Sequence, residues 1–261
     1  MRIDLLSIFP DFFSTPLHEG IIRRAQQAGI IDIGIHNIRA YASDRHQMTD
    51  DRPYGGGEGM VMKPEPLAAC LQAVPRQGDR EKRRVILMSP RGTPFAQEQA
   101  MRYAALDQLI LICGRYEGVD ERFTERYVDE ECSIGDYVLS GGELAALVIT
   151  DAVCRLLPGA LGCADSAEKD SFSRSLLKHS QYTRPPVFED LEVPAVLLSG
   201  NHAAVARHRF IESVRLTMTK RPDLLTGLEL SREERKWLGQ EDLLTQVEQM
   251  QQQVQCRERG T

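Results

Sequence analysis

The sequence predicts an α/β fold built on a parallel sheet, followed by a small helical domain. Three observations support this class. Short runs of apolar residues are typical of buried strands, stretches with helical spacing separate these runs, and glycine or proline ends most elements. Strands and helices therefore alternate along the first part of the chain, which is the pattern of βαβ units.

The first βαβ unit lies at the start of the chain. Residues 1–8 carry four aliphatic side chains and predict a buried strand. Apolar residues at helical spacing over 17–25 predict a helix, which a glycine ends. Isoleucines alternate with other residues over 31–35 and predict a second strand.

The same pattern repeats before residue 160. The predicted elements are, in order, a strand at Val85–Met88, a helix at Gln97–Leu106, a strand at Leu109–Cys113, a helix at Asp120–Arg126, a strand at Val128–Ser133 and a helix at Glu143–Leu156. Pro158 and Gly159 end the last helix. We therefore predict one α/β domain over residues 1–160.

The rest of the chain has a different character. Residues 161–186 mix small, polar and charged residues with few periodic apolar positions, and they predict an interdomain linker or mobile loop. Helical patterns follow at 202–219 and 232–253. We therefore predict a mainly helical second domain over residues 187–261.

The composition excludes several classes of protein. A hydrophobic fraction of 42%, a charged fraction of 27% and a net charge of −6 are typical of a globular chain and exclude a mostly disordered one. The apolar runs are shorter than the roughly 20 residues that span a bilayer, and the N-terminus does not resemble a secretory signal. We expect a cytoplasmic protein that does not contact membranes. The six cysteines lack the spacing of a zinc or redox site, so we expect reduced, mostly buried thiols and no bound metal.

Three glycine-bearing turns follow apolar strands, at Ser89–Gly92, Gly114–Gly118 and Ser133–Glu143. Open α/β sheets bind ligands at the carboxyl ends of their strands, so these turns predict a cofactor pocket. No turn has the spacing of a dinucleotide fingerprint or a P-loop, which disfavours NAD and ATP. The alternative is that the glycines only allow tight turns.

A fourth segment, Thr49–Met60, holds four glycines within five residues. Its exposed backbone N–H groups can approach a phosphate or a base, although a flexible surface loop would have the same composition.

The roles of Arg155 and Asp170 also stay open, since each residue could be structural. Arg155 could cap the helix that ends near it, and Asp170 could be a solvated charge or a helix cap.

Six segments together resemble one family. They are DDRPYGGGEGM at Asp50–Met60, SPRGTPF at Ser89–Phe95, CGRYEGVDERF at Cys113–Phe123, SIGDYVLSGGELAAL at Ser133–Leu147, EKDSF at Glu168–Phe172 and QYTRPPVF at Gln181–Phe188. In this order they resemble the bacterial tRNA (guanine-N1)-methyltransferases, which methylate the guanosine immediately 3′ of the anticodon to give 1-methylguanosine. The resemblance runs from the first strand to at least the helix at 201–220.

The resemblance implies a homodimer of SPOUT class, with a deep trefoil knot that binds S-adenosylmethionine. The implied cofactor-binding residues are Met88, Ser89, Pro90, Gly114, Tyr116, Glu117, Gly118, Ser133, Ile134, Gly135, Asp136, Tyr137, Val138, Leu139, Gly141 and Gly142. Asp170 matches the family's proposed general base, and Arg155 matches its catalytic arginine. The sequence departs from the family's common pattern at Ala145 and at Lys178 to Ser180.

The implied substrate is the anticodon stem-loop of tRNA. We expect substrate contacts from Asp50, Arg52, Tyr54, Gly59 and Arg184. Basic clusters at Arg80–Arg84, Arg207–Arg209 and Lys220–Arg221 are further candidates, although each could be only a solvated face. No dedicated Mg²⁺ site is visible in the sequence, and a role for this ion is left open.

Two other functions stay open at this point. One is an S-adenosylmethionine-dependent enzyme that methylates a small molecule and needs no RNA. The other is a non-catalytic RNA-binding module whose glycine turns are structural and bind no cofactor.

Overall fold

The computed structural model describes residues 1–162 and 170–259. The chain divides into two compact units, Met1–Ala164 and Asp165–Thr261. Within the described ranges, no helix combines the length and the apolar character that a membrane span needs.

The first unit contains a five-stranded sheet in which every neighbouring pair is parallel, in the order β2-β1-β6-β5-β7. The strands are β1 (Arg2–Ser7), β2 (Asp32–Asn37), β5 (Arg83–Pro94), β6 (Gln108–Cys113) and β7 (Glu130–Ser133), and the short strands β3 (Asp50–Asp51) and β4 (Val61–Met62) form a separate antiparallel pair. The helices are α1 (Gly20–Gln27), α2 (Pro64–Ala73), α3 (Gln97–Ala104), α4 (Glu121–Tyr127) and α5 (Glu143–Cys154). The α/β prediction is therefore confirmed.

Helices cover both faces of this sheet. Leu5 of β1 packs in one apolar cluster with side chains of α1, α3 and α5, whereas Leu6 packs in a second cluster with side chains of α2 and α4. Successive side chains of a strand point to opposite faces, so a strand between two helical layers is apolar at every position. This explains the continuous apolar run of β6 and the buried aliphatic side chains of β1, where Asp4 is the buried charged exception.

Strand β5 differs from its prediction in a way that matters for the site. We expected it to end at Met88, before a turn at Ser89–Gly92. Instead, the strand continues to Pro94, and its register with β7 shifts between Met88 and Thr93. The turn is therefore an irregularity within a strand, and the chain pairs again with β7 beyond it.

Helix α2 was not predicted. Leu67, Cys70, Leu71 and Val74 are buried at helical spacing, and Pro64 occupies the first turn, where its missing N–H is tolerated. These signals were present in the sequence.

The second unit is mainly helical and has its own apolar core. Its elements are a hairpin of β8 (Val187–Phe188) and β9 (Leu191–Glu192), then α6 (Ala195–Leu198), α7 (His202–Lys220), α8 (Arg232–Gln240) and α9 (Leu244–Arg259). The prediction of a single helix over 232–253 was wrong. Asp242 has a left-handed φ of 55° and the Leu243 N–H donates to the Leu238 carbonyl, which is how many helices end.

Part of the predicted linker belongs structurally to this second unit. Leu176 is buried in the unit's core, beside Val214 and Leu225. The Leu177 N–H donates to Thr217 Oγ1 at 2.9 Å. Residues 170–178 therefore pack as a loop of the second unit, because an apolar side chain anchors them there.

Candidate functional site

The three glycine turns line one cavity of about 1040 Å³, at the carboxyl ends of β6 and β7 and beside the register shift of β5. The predicted cofactor residues that line it are Met88, Ser89, Pro90, Gly114, Tyr116, Glu117, Gly118, Ser133, Ile134, Gly135, Tyr137, Val138, Leu139, Gly141 and Gly142. Adjacent parallel strands bring their ends to the same sheet edge, so three segments far apart in the sequence meet there.

Backbone hydrogen bonds hold the turns together. The Gly142 N–H donates to the Gly114 carbonyl at 2.9 Å, and the Phe95 N–H donates to the Ser133 carbonyl at 2.7 Å. Arg115 and Gly141 form an isolated antiparallel bridge. The walls of the cavity are therefore set by main-chain geometry, which fixes them more firmly than side-chain contacts alone would.

The glycine-rich segment before β4 joins the same site. The Glu117 N–H donates to the Met60 carbonyl and the Met62 N–H donates to the Gly118 carbonyl, both at 2.9 Å. Arg52 and Tyr54 line the cavity from this segment, and Tyr54 is 98% exposed. The fourth predicted segment thus reaches the site, with an aromatic ring presented to solvent.

Two glycines are required by close packing. A Cβ at Gly142 would lie 2.8 Å from Cys113 Cα and from Met88 Cβ. A Cβ at Gly92 would lie 2.3 Å from the backbone nitrogen of Cys132. Any side chain at either position would push the turns apart, so these glycines serve close approach rather than positive φ.

A buried ion pair supports the base of the site. Arg115 Nη2 lies 2.9 Å from Glu143 Oε2, and Ser7 Oγ donates to Glu143 Oε1 at 2.6 Å. The guanidinium of Arg115 also lies over the ring of Phe9, 4.5 Å from its centre. These contacts join the loop after β1, the turn after β6 and the start of α5.

Arginines pair with carboxylates around the rim of the cavity. Arg91 bonds Glu121 at 3.0 Å and Glu131 at 3.2 Å. Arg122 donates to Asp120 and lowers the pKa of that carboxyl. The rim thus carries fixed charges of both signs, which suits a ligand that has both amino and carboxylate groups.

Several lining residues were not predicted. Arg91, Arg115 and Ser140 contribute to the walls, and Lys63 lines the cavity beside the glycine-rich segment. Arg91 and Arg115 stand inside motifs that the sequence analysis quoted. An arginine within a glycine turn that follows a buried strand was the signal that could have found them.

Some predicted residues lie elsewhere. Asp50, Gly59 and Asp136 are not among the residues that line the cavity in the described part of the chain. A Cβ at Gly59 would lie 2.4 Å from Glu117 Oε1, so Gly59 gives room to a side chain that does line it. Arg155 follows α5 as its cap, and its N–H donates to the Asp151 carbonyl at 3.1 Å.

The remaining candidates belong to the second unit. Asp170 is half-buried, and its Oδ1 accepts a hydrogen bond from Lys178 Nζ at 2.7 Å. Arg184 is exposed. Neither residue had a predicted structural environment, because both stand in a segment without periodic apolar positions.

The basic clusters are largely paired with acids. In the first unit, Arg80 pairs with Asp129, and Arg84 lies 3.5 Å from Glu130. In the second unit, Arg207 bonds Glu241 at 3.0 Å and Arg221 bonds Asp223 at 2.7 Å. Such pairing reduces the positive charge that these arginines offer to a phosphate backbone.

Metal ligands do not cluster in the described residues, where no group of three or more His, Cys, Asp and Glu side chains could hold an ion. The four cysteines described there are free and buried, and burial raises the pKa of the Cys70 thiol to about 12 and that of Cys154 to about 11. At neutral pH these thiols are protonated and act as small apolar side chains.

Comparisons with known proteins support the family resemblance that the six segments indicated. The family described as tRNA (Guanine-1)-methyltransferase TrmD matches residues 1–227. A tRNA (guanine-N(1)-)-methyltransferase of Geobacter sulfurreducens is 55% identical over 239 residues, which cover 92% of this chain and 97% of the relative. Proteins of the same description from Koribacter versatilis and Geobacter metallireducens are 50% and 53% identical, over 92% and 91% of this chain and 98% and 96% of their own lengths. The resemblance is therefore confirmed, and the chain belongs to the tRNA (guanine-1)-methyltransferase TrmD family.

Proposed function

We propose that this chain transfers a methyl group from S-adenosylmethionine to N1 of the guanosine immediately 3′ of the tRNA anticodon. Membership of the family supports the general reaction, which is the methylation of guanine N1 in tRNA. The observation that supports the methyl donor is the cavity at the three glycine turns, lined by backbone that only glycine permits at Gly142.

The cavity residues fit S-adenosylmethionine. The walls between Ser133 and Gly142 offer main-chain donors and acceptors for a purine, and the rings of Tyr116 and Tyr137 offer apolar surface. Glu117 supplies a carboxylate that suits an amino group. When bound, this cofactor supplies an electrophilic methyl group on a sulfonium, so the protein contributes orientation rather than activation.

The SPOUT knot is part of the proposal. Strand β5 continues past Gly92, where it lies directly against the backbone of β7, and pairs again at Thr93 and Pro94. Such a crowded passage, next to the turns of β6 and β7, is what a chain threaded through its own loop requires. Because knots are rare, this proposal depends more on membership of the family than on the packing of β5.

Asp170 is the proposed general base, and Arg155 the proposed stabiliser of negative charge. Guanine N1 carries a proton and becomes a good nucleophile only as that proton leaves. A carboxylate can accept it while N1 bonds to the methyl carbon. Charge then develops on guanine O6, where a guanidinium is favourable. The target base must leave its stack to be reached, so we expect base flipping.

A homodimer is the proposed assembly. Leu144 and Val148 lie one turn apart on α5 and are 49% and 46% exposed. Two large aliphatic side chains on one exposed face are typical of a surface that a second subunit covers.

The net charge of −6 repels the phosphates of tRNA, so overall charge does not attract this substrate. Binding of the anticodon stem-loop therefore requires local contacts.

Arg52, Tyr54 and Arg184 are exposed and are the proposed local contacts, together with Asp50 and Gly59 of the glycine-rich segment. We also propose that residues 161–186 connect the two domains, with 170–178 packed on the second unit, and that the helical domain, 187–261, binds tRNA. Such a substrate places the activity in the cytoplasm. Mg²⁺ has no proposed protein ligands.

Methyl transfer from labelled cofactor tests this function. Two tRNA transcripts would differ only in the nucleotide 3′ of the anticodon, guanosine in one and adenosine in the other. We expect label only in the first, recovered as 1-methylguanosine after nuclease digestion. Equal labelling of both transcripts, or of a small molecule without RNA, would contradict the proposal. A chain that shows no heat of S-adenosylmethionine binding in calorimetry would instead be a non-catalytic RNA-binding module.

A further inference from the structure

The loop that carries Asp170 closes on itself through Lys178. Lys178 Nζ donates to Asp170 Oδ1 at 2.7 Å, and the two side chains are 33% and 31% exposed. The contact joins residues at the two ends of the loop. The contact therefore holds one oxygen of a carboxylate that is partly exposed to solvent.

The backbone of the loop holds both ends in place. The Lys178 N–H donates to Ser171 Oγ at 2.9 Å, and the Phe172 N–H donates to the Leu176 carbonyl at 2.8 Å. Ser173 Oγ donates to the Asp170 carbonyl at 2.7 Å. Leu176 is also buried in the core of its unit, so the backbone that carries the ion pair is held in place.

We propose that Lys178 is a positioning residue that orients the Asp170 carboxylate for removal of the N1 proton. This inference rests on the proposed role of Asp170 as the base. A carboxylate is already ionised at neutral pH, so the ammonium is not needed to charge it. Lys178 instead holds Oδ1 and so makes the two oxygens inequivalent. A carboxylate held in this way keeps a fixed orientation, which proton transfer requires.

Lys178 takes part in the proposed step only through this contact and transfers no proton. The N1 proton would move to the carboxylate, and the electron pair of the N1–H bond would become the pair that N1 shares with the methyl carbon. The pair of the carbon–sulfur bond that breaks would stay on the departing sulfur, which leaves as a neutral thioether.

Single-turnover methyl transfer at saturating S-adenosylmethionine and tRNA tests the inference. Lys178→Met keeps the length of the stem and removes the charge, and we expect the rate to fall about tenfold or more, as misplacement of a reacting group does. Lys178→Arg should restore the rate to within about threefold, because it keeps a cationic donor. Arg23→Met, a change at an exposed cation of α1 in the first unit, should leave the rate unchanged.

A double-variant cycle separates this inference from the proposed function. In an Asp170→Asn background, Lys178→Met should slow transfer no further, since its effect passes through the carboxylate. If Asp170→Asn alone were as fast as wild type, the base itself would be misassigned. If Asp170→Asn were slow while Lys178→Met matched wild type, only the role of Lys178 would be wrong. A higher Kd for tRNA with an unchanged rate at saturation would also overturn that role, because it would make Lys178 an RNA contact.

Discussion

Arg115 and Glu143 form a nearly buried ion pair beneath the cavity, with side chains that are 18% and 1% exposed. Arg115 Nε also donates to Glu143 Oε2, at 3.0 Å. Ser7 Oγ donates to the other carboxylate oxygen, so the charge of Glu143 is met from two sides. The pair thus connects the turn after β6 to the first residue of α5 and holds two walls of the site at a fixed separation.

Arg115→Met should destabilise the protein by about 3–5 kcal/mol, because it leaves the Glu143 carboxylate buried without its cation. Chemical denaturation monitored by circular dichroism measures this loss. Combining the change with Glu143→Gln removes the unpaired buried charge. The double variant should regain more than half of the lost free energy of unfolding. Equal instability of the single and double variants would mean that packing, not charge, is responsible.

Gly142→Ala should weaken S-adenosylmethionine binding. The new methyl group would lie 2.8 Å from two carbon atoms, and overpacking of this kind costs about 1–3 kcal/mol. We expect the turn to shift out of its binding position to relieve this strain, and a loss of the same size in binding free energy is roughly 5- to 160-fold in Kd. Calorimetric titration gives the affinity. Gly239→Ala is the control, since nothing in the described part of the chain lies within 4 Å of its Cβ position. Unchanged affinity in a folded Gly142→Ala variant would separate this turn from the cofactor.

Asp170→Asn should slow the chemical step by roughly 10²–10⁴-fold, the range of general-base catalysis, because the amide cannot accept a proton at neutral pH. Affinity for S-adenosylmethionine should change little, since the proposed pocket is built from the three turns. Single-turnover rates are needed because slow product release can hide a damaged step. Transfer within a few-fold of wild type would leave Asp170 a purely structural role.

Leu144→Arg combined with Val148→Arg should convert the proposed homodimer into a monomer. Two cations on one helix face would have to be desolvated in the interface, which is strongly unfavourable. Sedimentation velocity reports the species present. Met101→Arg on α3 is the control, because Met101 is 46% exposed, about as much as the two α5 residues. A wild-type chain that sediments as an active monomer would refute the dimer.

Asp4 should make the protein sensitive to acid. Burial raises the pKa of this carboxyl, but hydrogen bonds from His36, Arg2 and Gln108 outweigh burial and hold the pKa below its usual value. Its stabilising contribution is therefore complete above the unfolded pKa of about 4 and is lost as the pH falls through the folded pKa.

Urea unfolding between neutral pH and about pH 2.5 checks this sign. Asp4→Asn should be less stable than wild type at neutral pH, and the difference should shrink below about pH 4. Asp32→Asn, at an exposed partner of Arg2, should keep the acid dependence of wild type. A constant difference between Asp4→Asn and wild type across this range would show that Asp4 does not titrate below its unfolded value.

The sequence by itself determined the elements and the chemistry that depend on neighbouring residues. The apolar run at 109–113 and the aliphatic residues Ile3, Leu5 and Leu6 predict buried strands, because a strand covered on both faces is mostly apolar. The glycine turns predict the site, since parallel strands end at one edge. The six ordered segments were enough to identify the family.

The tertiary structure decided what depends on residues far apart in the chain. Ser7 meets Glu143 across 136 positions, and no local pattern encodes that contact. Strand β5 continues past Gly92 only because β7 accepts its second half, and Asp170 meets Lys178 only because Leu176 is anchored in a core. Periodicity reports which side of an element is buried, but the partner that buries it is chosen by the packing of the whole chain.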